Sequence, residues 1–372
     1  MRRIYVDNYR CYVNFDFRPK AKQLILGVNG TGKSILLEVV RALRGFVVDG
    51  RKVDFDFHAD TLTRWKTSPR QVFELEVYGN GGTYHYTLWI DVDPRRSRVV
   101  KEALDFDKEP VALFQDEQVS LFDDNHVKTA SYPFEPERSA LGVVGPRRSS
   151  TKLTWFKQWL GRLGCFRIEP SLIGEEVKRD ELVPVPQDDL SNFAAWYSHL
   201  TREDTAGIEE LRRSLQDVLS RFDSLNVPLV GRTARILRAR FSAAGEERSK
   251  KEPIEFDFGE LSDGQQALIA LYTLLQFAVG SNCTVCFDEP DNFLALAEIQ
   301  PWLFRLSDRI EDQHAQAILI SHHPELINIL APENAVIFSQ EAGGSVLVEP
   351  FRPDALGKLA PAELVARGWE RD

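Results

Sequence analysis

Apolar and polar residues alternate along the first twenty positions, with Ile4 and Val6 and then Val13, Phe15 and Phe17 on one side, as in half-buried strands. Lys22-Gln-Leu-Ile-Leu26 is a short apolar run that stops at Gly27. The period then changes. Ile35, Leu36, Val39, Val40 and Leu43 recur at three and four residues, which predicts a helix stopping near Gly45. Between Val72 and Asp93 two alternating runs flank Asn80-Gly81-Gly82, a hairpin signal, and further short strands are predicted near Val99 and Val119.

From 146 to 255 helical spacing dominates, over 152–163 and 192–222, with prolines at 184 and 186 and a charged run, 246–252, that reads as a solvated tip. The last third alternates helix and strand: an apolar helix from Ala267 to Val279, a strand from Thr284, a helix from Glu298 to Gln313 and a strand from Ala317 to Ile320. That alternation signals a parallel sheet covered by helices. The expected organisation is an α/β protein in three stretches: 1–145 with an antiparallel β region, 146–255 as a helical insertion, and 256–372 completing the first. No internal repeat or heptad array is visible.

The uncharged stretch 264–287 is not read as a membrane span. Its apolar part is shorter than the roughly 20 residues a bilayer requires, and Gly280-Ser281-Asn282 turns the chain within it. With 46 Lys and Arg against 56 Asp and Glu, the net charge of −10 excludes a uniformly basic nucleic-acid sleeve. The 4 cysteines, Cys11, Cys165, Cys283 and Cys286, are too few and scattered for a disulfide framework. Asp7 and Arg10 interrupt the apolar region that a leader beginning Met1-Arg-Arg would need, so a cytoplasmic protein is expected.

The strongest chemical signal is Gly27-Val-Asn29-Gly30-Thr31-Gly32-Lys33-Ser34, which fits G-x-x-x-x-G-K-[ST] and lies between an apolar strand and an amphipathic helix. Such a loop closes backbone N–H groups around phosphate oxygens, Lys33 reaches the β- and γ-phosphates, and Ser34 ligates Mg²⁺. Thr284-Val-Cys-Phe-Asp288-Glu289 ends an apolar strand in two carboxylates. Beside the glycine loop they gain roles: Asp288 to hold Mg²⁺, Glu289 to orient and deprotonate the attacking water. Cys283 and Cys286 lie three apart on that strand, face opposite sides, and do not read as a metal or redox pair. Leu261-Ser262-Asp263-Gly264-Gln265-Gln266 precedes the apolar helix; Ser262 and Gln265 make a capping box, and a capped helix start also offers N–H groups and a hydroxyl to an anion. Capping alone does not explain Gly264, which costs about 1 kcal/mol in a first turn. After the last predicted strand, Ser321-His322-His323 brings a histidine close to the phosphates, and either could also be an ordinary loop residue.

Together and in this order, GVNGTGKS, LSDGQ, VCFDEP and ISHH resemble the ABC-type P-loop ATPase heads of the SMC, RecF and OLD group, and more closely its stand-alone bacterial branch linked to antiphage defence. Asn8-Tyr-Arg10-Cys-Tyr12 is similar to the aromatic-basic opening of these heads. The resemblance covers the first ~50 and last ~115 residues well and the middle in outline. It implies ATP and Mg²⁺ sandwiched between two copies, with Lys33, Ser34, Ile35, Asp288, Glu289, His322 and Arg10 on one side and Ser262, Gly264 and Gln265 on the other. Asp263 departs from the usual glycine, the segment after Glu289 lacks the common continuation, and the Mg²⁺-sensing Gln of these heads has no counterpart beyond Gln115 and Gln118 of the β region.

The function expected is an ATP-hydrolysing head that dimerises around nucleotide and switches a partner effector such as a nuclease, in antiphage defence. The alternative is a RecF-like DNA clamp in repair, for which Arg147-Arg148, the four Arg between 232 and 240 and Lys250-Lys251 speak. A nuclease is disfavoured because only 50 residues follow His322, and Asp54/Asp56, Asp91/Asp93 and Asp105/Asp107 each read as one exposed strand face. Partner specificity is assigned to 146–255, where Trp155 and Trp159 share a helix face and look exposed; the other reading is that both pack the insertion's own core.

Overall fold

The computed structural model describes residues 1–178, 181, 183–242, 253–341, 344–352 and 359–368. The expected tip at 246–252, with Lys250 and Lys251, lies outside the described residues. The chain opens with β1 (Arg3–Asp7), β2 (Phe15–Phe17), β3 (Lys22–Leu26), α1 (Lys33–Val47) and the short α2 (Val53–Asp56). A run of strands follows: β4 (Arg70–Gly79), β5 (Gly82–Asp91), β6 (Arg98–Phe106), β7 (Glu109–Gln115), β8 (Gln118–Phe122) and β9 (Lys128–Pro133). Next come α3 (Thr151–Gly161), β10 (Gly164–Arg167), β11 (Glu176–Lys178), α4 (Phe193–Glu203) and α5 (Thr205–Val218). Short strands β12 (Phe222–Asn226), β13 (Leu229–Val230), β14 (Ala234–Ile236), β15 (Arg238–Phe241) and β16 (Ile254–Asp257) lead into α6 (Asp263–Phe277). The last stretch is β17 (Thr284–Asp288), α7 (Leu296–Gln313), β18 (Gln316–Ile320), α8 (Pro324–Asn334), β19 (Ala335–Gln340), β20 (Val346–Pro350) and α9 (Pro361–Arg367).

Two large sheets organise the molecule. One is antiparallel and 8-stranded, in the order β2-β1-β4-β5-β6-β7-β8-β9; the other is 6-stranded, in the order β10-β17-β18-β3-β19-β20, and parallel except for β20. The central strands are apolar along their middles because both faces are covered, with the polar Gln23, Thr284, Gln316 and Asp288 towards their ends. Leu24, Leu26, Val285, Phe287, Ala317 and Leu319 pack with helices α4 to α8. The alternate residues Ile25, Cys286, Ile318 and Ile320 pack on the other face with α1 and the antiparallel sheet. Helix α1 is thus held between the sheets, which fixes the direction of its first turn. Glu102 on β6 is fully buried and takes hydrogen bonds from Tyr86 Oη (3.0 Å), Ser139 Oγ (2.6 Å) and the N–H groups of Ala140 and Leu141 (2.7 and 3.4 Å), tying the 139–142 turn to the sheet.

The middle stretch departs from expectation. Residues 146–255 hold α3, α4 and α5, but also strands from β10 onward, and β10 belongs to the central sheet. The 192–222 helical pattern breaks in two at Asp204, whose carboxylate accepts from Gly207 N (2.8 Å) and restarts the helix as α5. Trp159 is buried and Trp155 stacks on Tyr84 of β5, with ring centroids 4.9 Å apart, so both tryptophans clamp α3 to the antiparallel sheet and neither stands free. Asp54 and Asp56 sit on α2, not on a strand. Among the described residues no helix is long and apolar enough to cross a membrane.

Candidate nucleotide site

Parallel strands deliver their following loops to one edge of a sheet, where open α/β folds bind ligands. Here β3 delivers 27–32, β17 delivers Asp288 and Glu289, β18 delivers Ser321 and His322, and β10 ends at Arg167. Between β3 and α1 the chain turns through glycines with φ of +140° at Gly27, +86° at Gly30 and +89° at Gly32. A β-carbon at Gly27 would meet the Phe338 carbonyl oxygen at 2.3 Å and one at Gly32 the Cys11 sulfur at 2.9 Å, whereas at Gly30 nothing lies within 4 Å. The loop is therefore packed on its inner side and open at Gly30. Tyr12 Oη donates to Gly32 O (2.7 Å), Gln340 Nε2 to Gly30 O (3.0 Å) and Thr31 Oγ1 to Val28 O (2.9 Å).

Lys33 is folded into the loop, its ammonium on the carbonyls of Gly27 (2.5 Å) and Val28 (3.0 Å). Burial pulls this ammonium below the usual Lys range, while the Glu289 and Asp288 carboxylates hold it up. Asp288 is buried at the end of β17; burial raises its carboxyl, opposed first by the Arg167 guanidinium and to a lesser degree by the Ser34 hydroxyl. Glu289 follows in the left-handed region at φ +51°, accepting from Asn292 Nδ2 at 3.0 Å. That conformation ends the strand and turns the side chain out of the sheet. His322 senses both Lys33 and Glu289, and partial desolvation together with Lys33 keeps its imidazole below the usual His range. His323 instead caps α8, its Nδ1 accepting from Glu325 N at 3.2 Å.

The structure thus groups Lys33, Ser34, Asp288, Glu289 and His322. Ile35 packs against the core, and its N–H donates to Gly32 O at 3.0 Å. Asn29 is exposed on the loop. Arg10 is tied to Glu38 on α1, Nε to Oε1 at 2.8 Å, rather than aimed at the loop. Ser262 caps α6 with Gln265, and Gly264 lies against the Phe293 carbonyl, where a β-carbon would come to 3.0 Å. No hydrogen bond among the described residues joins Ser262, Gly264 or Gln265 to the glycine loop of the same chain. Gln115 and Gln118 face each other at the β7–β8 turn of the antiparallel sheet. Cys283 and Cys286 pack in different cores. Two of the four arginines of the cluster are paired: Arg238 with Asp257 (2.7 Å) and Arg240 with Glu255 (2.5 Å) across β15 and β16, while Arg235 donates to the Val227 carbonyl.

Sequence reasoning missed Arg167. It ends β10 opposite Asp288 in the parallel register, with Nη2 3.8 Å from Glu289 Oε2. Only the three-residue run Cys165-Phe-Arg167 could have signalled that strand, too short for periodicity to register.

A glycine loop after β3 and a carboxylate pair after β17, with an antiparallel sheet packed over α1, define a P-loop fold of the SMC-head type. The family described as "AAA domain, putative AbiEii toxin, Type IV TA system" matches residues 186–328, a span that takes in Ser262, Asp288, Glu289 and His322 and leaves out the glycine loop. Among solved structures, an SMC head bound to the C-winged helix domain of ScpA is similar over 96% of this chain and 99% of its own, with 14% identity and a TM-score of 0.54. The SMC head domain from Thermotoga maritima covers 95% and 100%, with 13% identity and a TM-score of 0.45. No curated protein sequence matches the chain.

Proposed function

We propose that the chain binds ATP with Mg²⁺ at the glycine loop and hydrolyses it, and that two copies close around the nucleotide. One observation carries this reading: Lys33 rests on the carbonyls of a loop turned through three positive-φ glycines, and the buried Asp288 carboxylate at the end of β17 acts on it. An ammonium held only by carbonyl oxygens is ready to exchange them for phosphate oxygens. A hydroxyl and a carboxylate make an all-oxygen donor set of the kind Mg²⁺ takes, so Ser34 and Asp288 would hold the ion, which supplies charge neutralisation on the phosphates. Glu289 takes the proton of the attacking water, and neutral His322 is set to hold that water or the terminal phosphate by a hydrogen bond.

Ser262, Gly264 and Gln265 make no hydrogen bond to their own glycine loop among the described residues and are proposed to complete the site of a second copy. The solved head that shares this fold is bound to a domain of another protein, which supports a partner-regulated switch over an autonomous enzyme. An effector such as a nuclease, a place in antiphage defence and a cytoplasmic location belong to this proposal. The division at 145 and 255 is proposed as one of sequence stretches only, since β10 is shared. The DNA-clamp reading loses the part of its support that came from Arg238 and Arg240, which Glu255 and Asp257 occupy. Glu289→Gln tests the chemistry: ATP should still bind while turnover falls on the order of 10²-fold or more, and unchanged turnover rejects Glu289 as the base.

A further inference from the structure

Three arginines border the face of the site formed by β10, and they differ in how firmly they are held. Arg44 makes a bidentate pair with Asp188 at 2.9 and 2.6 Å and also donates to Leu163 O at 2.7 Å. Arg41 donates to Cys165 O at 2.8 Å and lies 3.3 Å from Asp188. Arg44 is locked by this geometry, with three donations in fixed directions, and Arg41 is held by one backbone carbonyl and the Asp188 charge, its buried Nε left without a hydrogen bond. Arg167 is held less firmly than either. Its side chain is 57% exposed, and its ion pair is the 3.8 Å approach to Glu289, too long for a good hydrogen bond. It shares a cleft of about 860 Å³ with Arg41, Arg44 and Asp188, so the guanidinium has room to swing.

Its backbone, by contrast, is fixed. Arg167 is in register with Asp288 on the neighbouring parallel strand, and its N–H donates to Asp188 O at 3.3 Å. A long, loosely paired cation is thus anchored one strand away from the two carboxylates. Those carboxylates oppose any further negative charge, and Lys33 is the cation already set in the loop. A diphosphate needs no more than the loop and Lys33. A third phosphate would bring its charge up to Glu289, where repulsion is strongest unless a second cation stands between them.

We propose that Arg167 is the residue by which this site tells a nucleoside triphosphate from a diphosphate, exchanging its loose pair with Glu289 for the terminal phosphate and leaving Glu289 free to take a proton from water. This rests on the nucleotide reading given above. The exchange is favoured because a guanidinium binds phosphate oxygens bidentately, whereas its carboxylate contact here is a single long one.

The test titrates ADP and the β,γ-imido analogue of ATP, each with Mg²⁺, into wild type, Arg167→Ala and Arg167→Lys, and measures steady-state ATP hydrolysis. Arg167→Ala should weaken the triphosphate analogue about tenfold or more, leave ADP within about twofold, and lower kcat on the order of 10²-fold. Arg167→Lys should recover part of both losses, since it keeps the charge without the fork. Equal weakening of ADP and analogue would mean a structural role and overturn the proposal, as would no change in either. Wild type that binds neither nucleotide would overturn the nucleotide reading itself. Wild type that binds both, with an unaltered alanine variant, removes Arg167 alone.

Discussion

At Gly27, Gly30 and Gly32 the same substitution meets three different surroundings. Each has positive φ, so alanine is strained at all of them, but only Gly27 and Gly32 are crowded, by the Phe338 carbonyl and by Cys11. Gly27→Ala and Gly32→Ala should therefore lose more nucleotide affinity than Gly30→Ala, measured by equilibrium binding; the reverse order would mean the loop is not held as described. Glu102 gives a stability test away from the site. Its Oε2 faces two backbone N–H groups and its Oε1 two hydroxyls, so Glu102→Gln must turn its NH₂ to the hydroxyls, both of which then lose their acceptor, and should cost about 1–3 kcal/mol in urea unfolding. For His322 the lowered range means the imidazole is neutral at pH 7 and gains its proton only below the ordinary value of about 6.5. Turnover should fall on acidification below that value, and His322→Gln should remove that limb; an acid limb above 6.5 that the substitution moves would contradict the assignment. Lys33, Ser34 and the Asp288-Glu289 pair were readable because fixed spacing and strand ends leave a local trace. Arg167 was not, because its place opposite Asp288 comes from pairing with a strand more than a hundred residues away.

Elements follow the same division. The β4–β5 hairpin was legible from Asn80-Gly81-Gly82, and α6 from its capping box, since both signals lie within a few residues. The β10 strand and the small sheets around β15 were hidden: the strands are two to five residues long, too short for alternation to register, and β10 takes its place from a partner distant in sequence. Trp155 and Trp159 looked free on a helix wheel because the wheel does not contain Tyr84 and the antiparallel sheet. The β15–β16 pairing also revises what the arginines there do. Reversing Arg238 and Arg240 to Glu sets like charges opposite Glu255 and Asp257, so it should lower the thermal midpoint, and less so at high salt. A midpoint unchanged at low salt would mean that the cross-strand pairs do not form.

On the scale of the whole molecule, two cores meet at α1 and the central sheet, and the glycine loop sits where both can hold it. The α6 start, with Ser262 exposed, spends its hydrogen bonds on its own cap with Gln265 and makes none to that loop among the described residues. If it serves a second copy, Ser262→Arg should block nucleotide-dependent dimerisation while leaving binding by the single chain intact, read by light scattering with ATP and Mg²⁺. Loss of binding in that variant would make Ser262 only the cap of α6. The claim beneath all of this is that the loop from Gly27 to Ser34 binds nucleotide through Lys33. The direct measurement is calorimetric titration of ATP with Mg²⁺ into wild type and Lys33→Ala, with both shown to unfold at similar midpoints. The account predicts saturable binding by wild type and none by Lys33→Ala; equal affinity in the two proteins would contradict it.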